Sequence, residues 1–345
     1  MTLRLGKRER FAKVSPGVQV VLDAVHAMKG PAKVLLRCVA GGVLFCWVLI
    51  CLGIPCDAQE EAPKRAAVLI SQEIRPYIEA AEGLSLGLKD GIGAEVQVHS
   101  LEDFRGKSRA LLSRELLEKT VDVMIGVGPG AARFMWSEVP GEQAIRLFTM
   151  VLNPDRVFPR APEPCGVPLN IPAKTQMDLI SRALPACPRV GVLFDPSLNA
   201  EFFDSAQAEA AVLNRELLPL VVSERKNIPD VLQDHWDEMD ALWLIPDSTV
   251  ISETLVQYMI KEALYREVPV IGYNRFFYES GCALAFVFDY RELGRQCARE
   301  AIRALSGGPC RQVSPVFEAW VNARVFGNIG MALPEQMASP LVLGP

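Results

Sequence analysis

VDVMIGVGPGAARFMW (residues 121–136) sets an unbroken apolar run against a glycine-proline turn and then a segment of helical character. A run that is apolar at consecutive positions, without alternation, suits a strand covered on both faces. Strand, turn and helix in that order are half of a βαβ unit. The same order recurs on either side. Upstream, AAVLI (66–70) precedes a helical stretch over 76–90, and EVQVHSL (95–101) precedes ALLSRELLEK. Downstream, AIRLFTMVL (144–152) ends in Asn153-Pro154, and RVGVLF (189–194) leads to a helix over 200–213. LLPLVVS, DALWLIP and VPVIGY follow, separated by helical stretches such as TLVQYMIKEALYRE. Strands alternating with helices predict an α/β protein with parallel sheets.

A body of about 285 residues is long for one such sheet and suits two Rossmann-like lobes. The break falls at Asn170-Ile171-Pro172, where one β/α series ends before the next begins at Arg189. No Gly/Ser-rich linker separates the halves, so closely coupled lobes joined by a multi-crossing hinge are expected. The predicted first lobe is 65–172 with 312–345 and the second is 173–311, with crossings near 172 and over 285–312. The closing stretch, a strand FEAWVN and a short helix, is expected to return to the first lobe.

Residues 1–58 read differently. CVAGGVLFCWVLICLGIPC (38–56) is uncharged and long enough to cross a bilayer. Lys29, Lys33 and Arg37 lie before it and Cys56-Asp57-Ala58 at its end, which is the pattern of a secretory signal. Met28 is well placed as a start, and cleavage is expected after Ala58; the alternative is an uncleaved anchor. The residues before Cys51 and Cys56 do not resemble a lipobox. Either way the body is expected outside the membrane, periplasmic or extracytoplasmic. The first 58 residues hold 8 of the 36 basic and 3 of the 41 acidic residues, leaving 28 against 38, a net −10. An acidic body with scattered charge carries no footprint for nucleic acid.

Five cysteines fall in the body, Cys165, Cys187, Cys282, Cys297 and Cys310, with no ligand-like spacing. An oxidising compartment permits a disulfide among them, of unassigned connectivity; Cys282 reads as a small core residue. The three histidines, His26, His99 and His235, are far apart, so no metal site is expected. The sequence has no GxSxG elbow at a strand end, no HExxH and no P-loop GxxxxGK[ST], which argues against an enzyme, and no cofactor is expected.

Ligands of parallel α/β sheets sit at the carboxyl ends of strands, beside helix N-termini. Those positions hold Ser71, Gln72 and Tyr77 after the first strand, Gly128-Pro129-Gly130-Ala131 after the third, and Asn153 after the fourth. In the second half they hold Asp195, Ser197 and Asn199, then Asp247, then Tyr273 and Asn274. The Gly128–Ala131 turn offers backbone N–H groups to a carboxylate or phosphate, or is a plain tight turn; as a dinucleotide fingerprint it is weak. Asp195, Ser197 and Asp247 are good helix caps as well as ligand partners. Asp247 could pair with a ligand ammonium, and Tyr77, Tyr273 and Phe276 could stack on a flat ligand or pack in the core.

In sequence order these segments resemble the ABC-transporter substrate-binding protein family, in its amino-acid-type branch with the type I periplasmic-binding fold. SQEIRPYIEAAEGLSLGL (71–88), VDVMIGVGPGAARF (121–134), TMVLNPDRV (149–157) and RALPACPRVGVLFDPSLNAEFF (182–203) carry the resemblance. DALWLIPDSTV, VPVIGYN and SGCALAFVFDYRELGRQCAREAIRAL complete it, over about residues 65–335. The resemblance implies two lobes joined by three strands and closing on a small ligand by hinge bending. It implies that Ser197, Asn199 and the Gly128–Ala131 turn hold a ligand carboxylate, that Asp247 receives an amino group, and that Asp289-Tyr290 sits near the hinge. It further implies a monomer serving an ABC permease; the alternative is a membrane-anchored sensory domain using the same cleft. Two departures, Asp247-Ser248-Thr249 for the usual Asp-Asn-Thr and an unusually aromatic Tyr273–Tyr278, favour a larger or flatter ligand than an ordinary amino acid.

Overall fold

A computed structural model describes residues 62–345, except 105, 107, 119, 141–143, 159–163, 251 and 336. The export segment expected over 1–58, with its start at Met28 and cleavage after Ala58, lies outside the described residues. Pro63–Pro345 form one compact unit.

The first sheet is parallel, in the order β2-β1-β3-β4-β5, built from β1 (Arg65–Ile70), β2 (Glu95–Ser100), β3 (Val123–Val127), β4 (Ile145–Thr149) and β5 (Cys165–Val167). The apolar runs are its centre: every residue of β3 is buried, and β1 is exposed only at Arg65. The helices of this lobe are α1 (Arg75–Ile92), α2 (Ser108–Glu118), α3 (Pro129–Ser137) and the short α4 (Pro154–Val157). The second sheet runs β12-β11-β10-β9-β8-β6-β7. Its strands are β6 (Arg189–Phe194), β7 (Glu216–Val221), β8 (Ala241–Leu244), β9 (Val270–Gly272), β10 (Leu284–Val287), β11 (Glu318–Val321) and β12 (Leu341–Leu343). Only the β10–β11 pair is antiparallel. The remaining helices are α5 (Ala173–Ala183), α6 (Pro196–Val212), α7 (Ile228–His235), α8 (Glu253–Tyr265), α9 (Arg275–Ser280), α10 (Tyr290–Leu305) and α11 (Ala323–Asn328). The α/β class and the two parallel-dominated lobes expected from the sequence are the architecture observed.

The lobe boundaries differ from the expected ones in two places. The closing stretch 312–345 does not return to the first lobe, because β11 and β12 extend the second sheet from the free edge of β10. Residues 290–305, expected in the second lobe, form α10, which packs on α1, β4 and β5 of the first. The reason is a backbone fit. α10 buries Leu293, Gly294, Cys297, Ala298 and Ala301, a stripe of mostly small residues. A Cβ on Gly294 would strike the Ala80 carbonyl of α1, and one on Gly83 would strike the Arg291 carbonyl of α10. The two helices therefore touch through their main chains, as only glycine allows.

The chain passes between lobes three times: over 168–172 after β5, at 288–289 between β10 and α10, and over 311–317 before β11. A disulfide joins Cys165 in β5 to Cys310 after α10, tying the roots of two crossings together on the first lobe. Beside it, the Gly166 N–H donates to the Arg311 carbonyl at 3.3 Å and the Val313 N–H to the Gly166 carbonyl at 3.0 Å. Cys187, Cys282 and Cys297 are free and buried, and burial pushes all three thiols up, Cys187 to about 11. Among the described residues no helix is long and apolar enough to cross a membrane.

Candidate ligand-binding cleft

The carboxyl ends of both sheets face one another across these crossings, and a cavity of about 170 Å³ lies between them. The first lobe contributes Leu152 and Asn153, and the first crossing Leu169 and Asn170. The second lobe contributes Gln176, Asn199, Phe202, Tyr273, Asn274 and Phe286, among others, and the crossings contribute Ile171, Phe288 and Tyr290. A larger cavity of about 590 Å³ adjoins it through Phe288 and Tyr290, with Arg75, Glu79, Arg275, Asp289, Glu292 and Glu318 among its walls.

Polar side chains of the deep cavity are held by local hydrogen bonds. Asn153, at φ 50° and ψ 63°, donates its N–H to Asn170 Oδ1 at 2.8 Å, and Asn170 Nδ2 donates to Asn153 Oδ1 at 2.6 Å. This reciprocal pair locks the loop after β4 to the first crossing. Gln176, 6% exposed, donates from Nε2 to the Ile171 carbonyl at 2.8 Å. Asn274 caps α9, accepting at Oδ1 from the Phe277 N–H at 3.1 Å. Asn199, 7% exposed, sits where α6 breaks, at φ −134° and ψ 19°, and donates from Nδ2 to Asp247 Oδ2 at 2.7 Å. Burial pushes the Tyr273 and Tyr290 phenols up, helped in Tyr273 by the Asp247 charge, so both are protonated hydroxyls at neutral pH. Neither hydroxyl has a hydrogen-bond partner among the described residues.

Of the residues named from the sequence, Asn153, Asn199, Tyr273 and Asn274 line this cavity, and Asp289 lines the larger one. The structure gives the others different employment. Asp247, 2% exposed, accepts at Oδ2 from the Asp195 N–H at 2.8 Å as well as from Asn199, and at Oδ1 from the Thr249 and Val250 N–H groups at 2.8 and 3.3 Å. Four donors fill a carboxylate, which leaves no site for a ligand ammonium. Asp195 accepts from both the N–H and the hydroxyl of Ser197, at 2.9 and 2.7 Å, and from Thr249 Oγ1 at 2.9 Å. Those bonds, Ser197 first and Thr249 next, hold its carboxyl below the usual range. Asp289 caps α10 through the Glu292 N–H at 3.0 Å.

The Gly128–Ala131 turn is likewise filled from within. Ser71 Oγ donates to the Val127 carbonyl at 2.9 Å and accepts the Ala131 N–H at 2.8 Å. The Gly128 N–H goes to the Thr149 carbonyl at 2.9 Å, and Pro129 has no N–H. Among the described residues, the Gly130 N–H alone of the turn's donors is left to solvent. Gly128, at φ 85°, lies against the Tyr77 ring and the Ser71 hydroxyl. Gln72 is exposed and lines neither cavity, and Phe276 packs on the core cluster around α8 and α9.

Sequence reasoning did not name Asn170, Gln176, Phe202, Phe286 or Phe288 as site residues, and gave Tyr290 only a place near the hinge. Two signals were present. Asn170 belongs to the tripeptide that marks the lobe boundary, where a crossing must floor the cleft. Phe286 and Phe288 share one face of the AFVFDY run at strand spacing. Among the described residues no group of three or more His, Cys, Asp and Glu side chains is placed to hold a metal ion.

Solved structures with this arrangement are numerous. A conserved domain protein from Vibrio cholerae is 21% identical, with a TM-score of 0.55, over 79% of this chain and 97% of that one. An ABC domain from Streptococcus pneumoniae, solved in complex with L-Trp, is 18% identical, with a TM-score of 0.56 and the same shares. A ligand-free, open substrate-binding protein with adhesive properties from Clostridium difficile is 15% identical, over the same shares, with a TM-score of 0.67. At these identities the likeness establishes the fold, that of type I periplasmic binding proteins. No curated protein matches the chain. The family described as ABC transporter substrate binding protein matches residues 79–339. Its members are non-catalytic, normally extracytoplasmic, and bind small molecules in partnership with a membrane permease. With most of its length inside that match, the chain belongs to the ABC transporter substrate-binding protein family.

Proposed function

We propose that this protein is an extracytoplasmic solute receptor that captures a small aromatic molecule between its lobes and delivers it to an ABC importer. The observation that carries this reading is the deep cavity itself, walled by both lobes and floored by the crossings, with Phe202, Phe286, Phe288, Tyr273 and Tyr290 around it. A ligand there touches both lobes at once, so binding favours the closed arrangement over the open one. Arg156 of α4 lies against α6, where its guanidinium donates to the Leu198 carbonyl across the cleft. Of the two expected ligand types, amino-acid-like and aromatic, the rings around the cavity support the aromatic; the L-Trp held by the Streptococcus pneumoniae protein belongs to both types. Export by the 1–58 segment completes the proposal.

The test is incubation of the purified chain with a small-molecule extract, followed by native mass spectrometry and thermal unfolding. A retained aromatic solute with a raised midpoint is expected; at a hundredfold its dissociation constant a ligand adds about 2.7 kcal/mol. A well-folded protein that retains nothing from the extract would end the receptor reading.

A further inference from the structure

The lining of the deep cavity is uncharged. Among the described residues no Lys, Arg, His, Asp or Glu side chain borders it. Two groups expected from the sequence to greet an amino-acid headgroup are already satisfied, the Asp247 carboxylate by four internal donors and the Ala131 N–H by Ser71, and Arg75, Glu79 and Arg275 line the adjoining cavity instead. A buried ammonium or carboxylate without a charged or multiply hydrogen-bonding partner is strongly disfavoured.

What the cavity does present is neutral hydrogen bonding. Asn153, Gln176, Asn199 and Asn274 each use one end of a carboxamide inside the protein, and among the described residues nothing meets the other end. The Tyr273 and Tyr290 hydroxyls add two groups that donate or accept. Donors and acceptors are thus interspersed between aromatic faces. The volume, about 170 Å³, is close to the roughly 150 Å³ that accepts one benzene ring. One or two small rings fit; a ring carrying an amino-acid backbone would have to place that backbone elsewhere.

Resting on the receptor reading above, we infer that the deep cavity selects an uncharged, planar heteroaromatic solute with lactam or carboxamide edges, the chemistry of a free nucleobase, and discriminates against zwitterionic amino acids. The rings sandwich the flat face, and the carboxamide ends and phenols read the edge. A site built to hydrogen-bond a polar edge also rejects purely apolar rings, because its own polar groups would be left buried and unpaired.

The full chain is titrated by calorimetry with uracil, adenine, hypoxanthine and nicotinamide, and in parallel with L-tryptophan and L-phenylalanine. At least one neutral heterocycle is expected to bind, with the amino acids weaker by about a hundredfold or more, the scale on which unpaired buried charge discriminates. Equal or tighter binding of either amino acid overturns the inference and leaves the receptor reading standing. Binding of none of the heterocycles also overturns it, and the receptor reading then falls only if the extract experiment is empty too. Tyr290→Phe places the ligand: among the described residues its hydroxyl has no partner, so the unfolding midpoint stays while heterocycle affinity falls about tenfold. Unchanged affinity in that variant puts the heterocycle outside this cavity and overturns the assignment.

Discussion

Asp247 shows how burial changes the meaning of a residue. At a strand end beside a cleft it reads as an anchor for a ligand amine, so that its loss would cost binding and spare the fold. In the structure it gathers the Asp195 N–H, the Asn199 amide and two N–H groups of its own turn. Asp247→Ala strands those donors and is expected to lower apo stability by about 3 kcal/mol, measured by urea unfolding; a change under about 0.5 kcal/mol would return Asp247 to the surface class. Its contact with the cavity lining is indirect, through the hydrogen bond that orients Asn199. Acid should reveal two more carboxylates. Asp195 is held low by Ser197 and Thr249. Burial pushes Asp240 up, but the guanidinium and N–H of Arg189 outweigh it and hold it low. Folded values below the unfolded value of about 3.9 mean that the unfolded chain binds more protons in acid. The stability they contribute is full above about pH 5 and is lost as pH falls through their folded values. Urea midpoints should decline below about pH 4, and Asp195→Asn should make that decline shallower; an identical profile in the variant would remove Asp195 from the account.

The element that decides the lobe assignment is α10. Its charges, Arg291, Arg295, Arg299 and Arg303 among them, pair with Glu82, Glu292 and Glu300 on the outer side, and its small residues face α1. Gly294→Ala places a methyl against the Ala80 carbonyl, a main-chain atom that cannot rotate away. A loss of about 3 kcal/mol is expected, at the upper end for overpacking, with the thermal midpoint as readout. Gln72, on an exposed loop, is the contrasting position, and Gln72→Ala should shift the midpoint negligibly. If Gly294→Ala were equally silent, the α1–α10 contact would be looser than described. Strands and helices of this protein were legible as elements because apolar runs and glycine-proline turns are local signals. The short β5 and β12, three residues each, escaped, whereas the equally short β9 lies in the longer apolar run VPVIGY.

Across the whole molecule, three crossings and one disulfide hold two lobes to a shared cleft. Pro63–Pro345 form a compact unit, so a chain beginning at Pro63 should unfold cooperatively with the midpoint of the full chain. Aggregation of the shortened chain would show that residues 1–62 belong to the folded body. The Cys165–Cys310 bridge closes a loop across 145 positions, and Cys310→Ser is expected to cost about 4 kcal/mol through the freedom it returns to the unfolded chain. A midpoint that is the same for Cys310→Ser and the parent protein would refute that contribution.

Composition and periodicity by themselves determined the class of the protein: alternating strands and helices, two lobes, an acidic body, and a cleft at the carboxyl strand ends. They also named Asn153, Asn199, Tyr273 and Asn274, because a residue just past a buried strand has few places to go in a parallel sheet. Which polar residues stay free for a ligand was settled only by tertiary structure. Asp247 and Ser71 are satisfied by partners 52 and 60 positions away, and long-range pairings of that kind leave no trace in local spacing. The exchange of α10 and β11 between lobes is of the same kind. A strand takes the free edge that has room for it and a helix the groove that fits its glycines, and both exist only once the chain has folded.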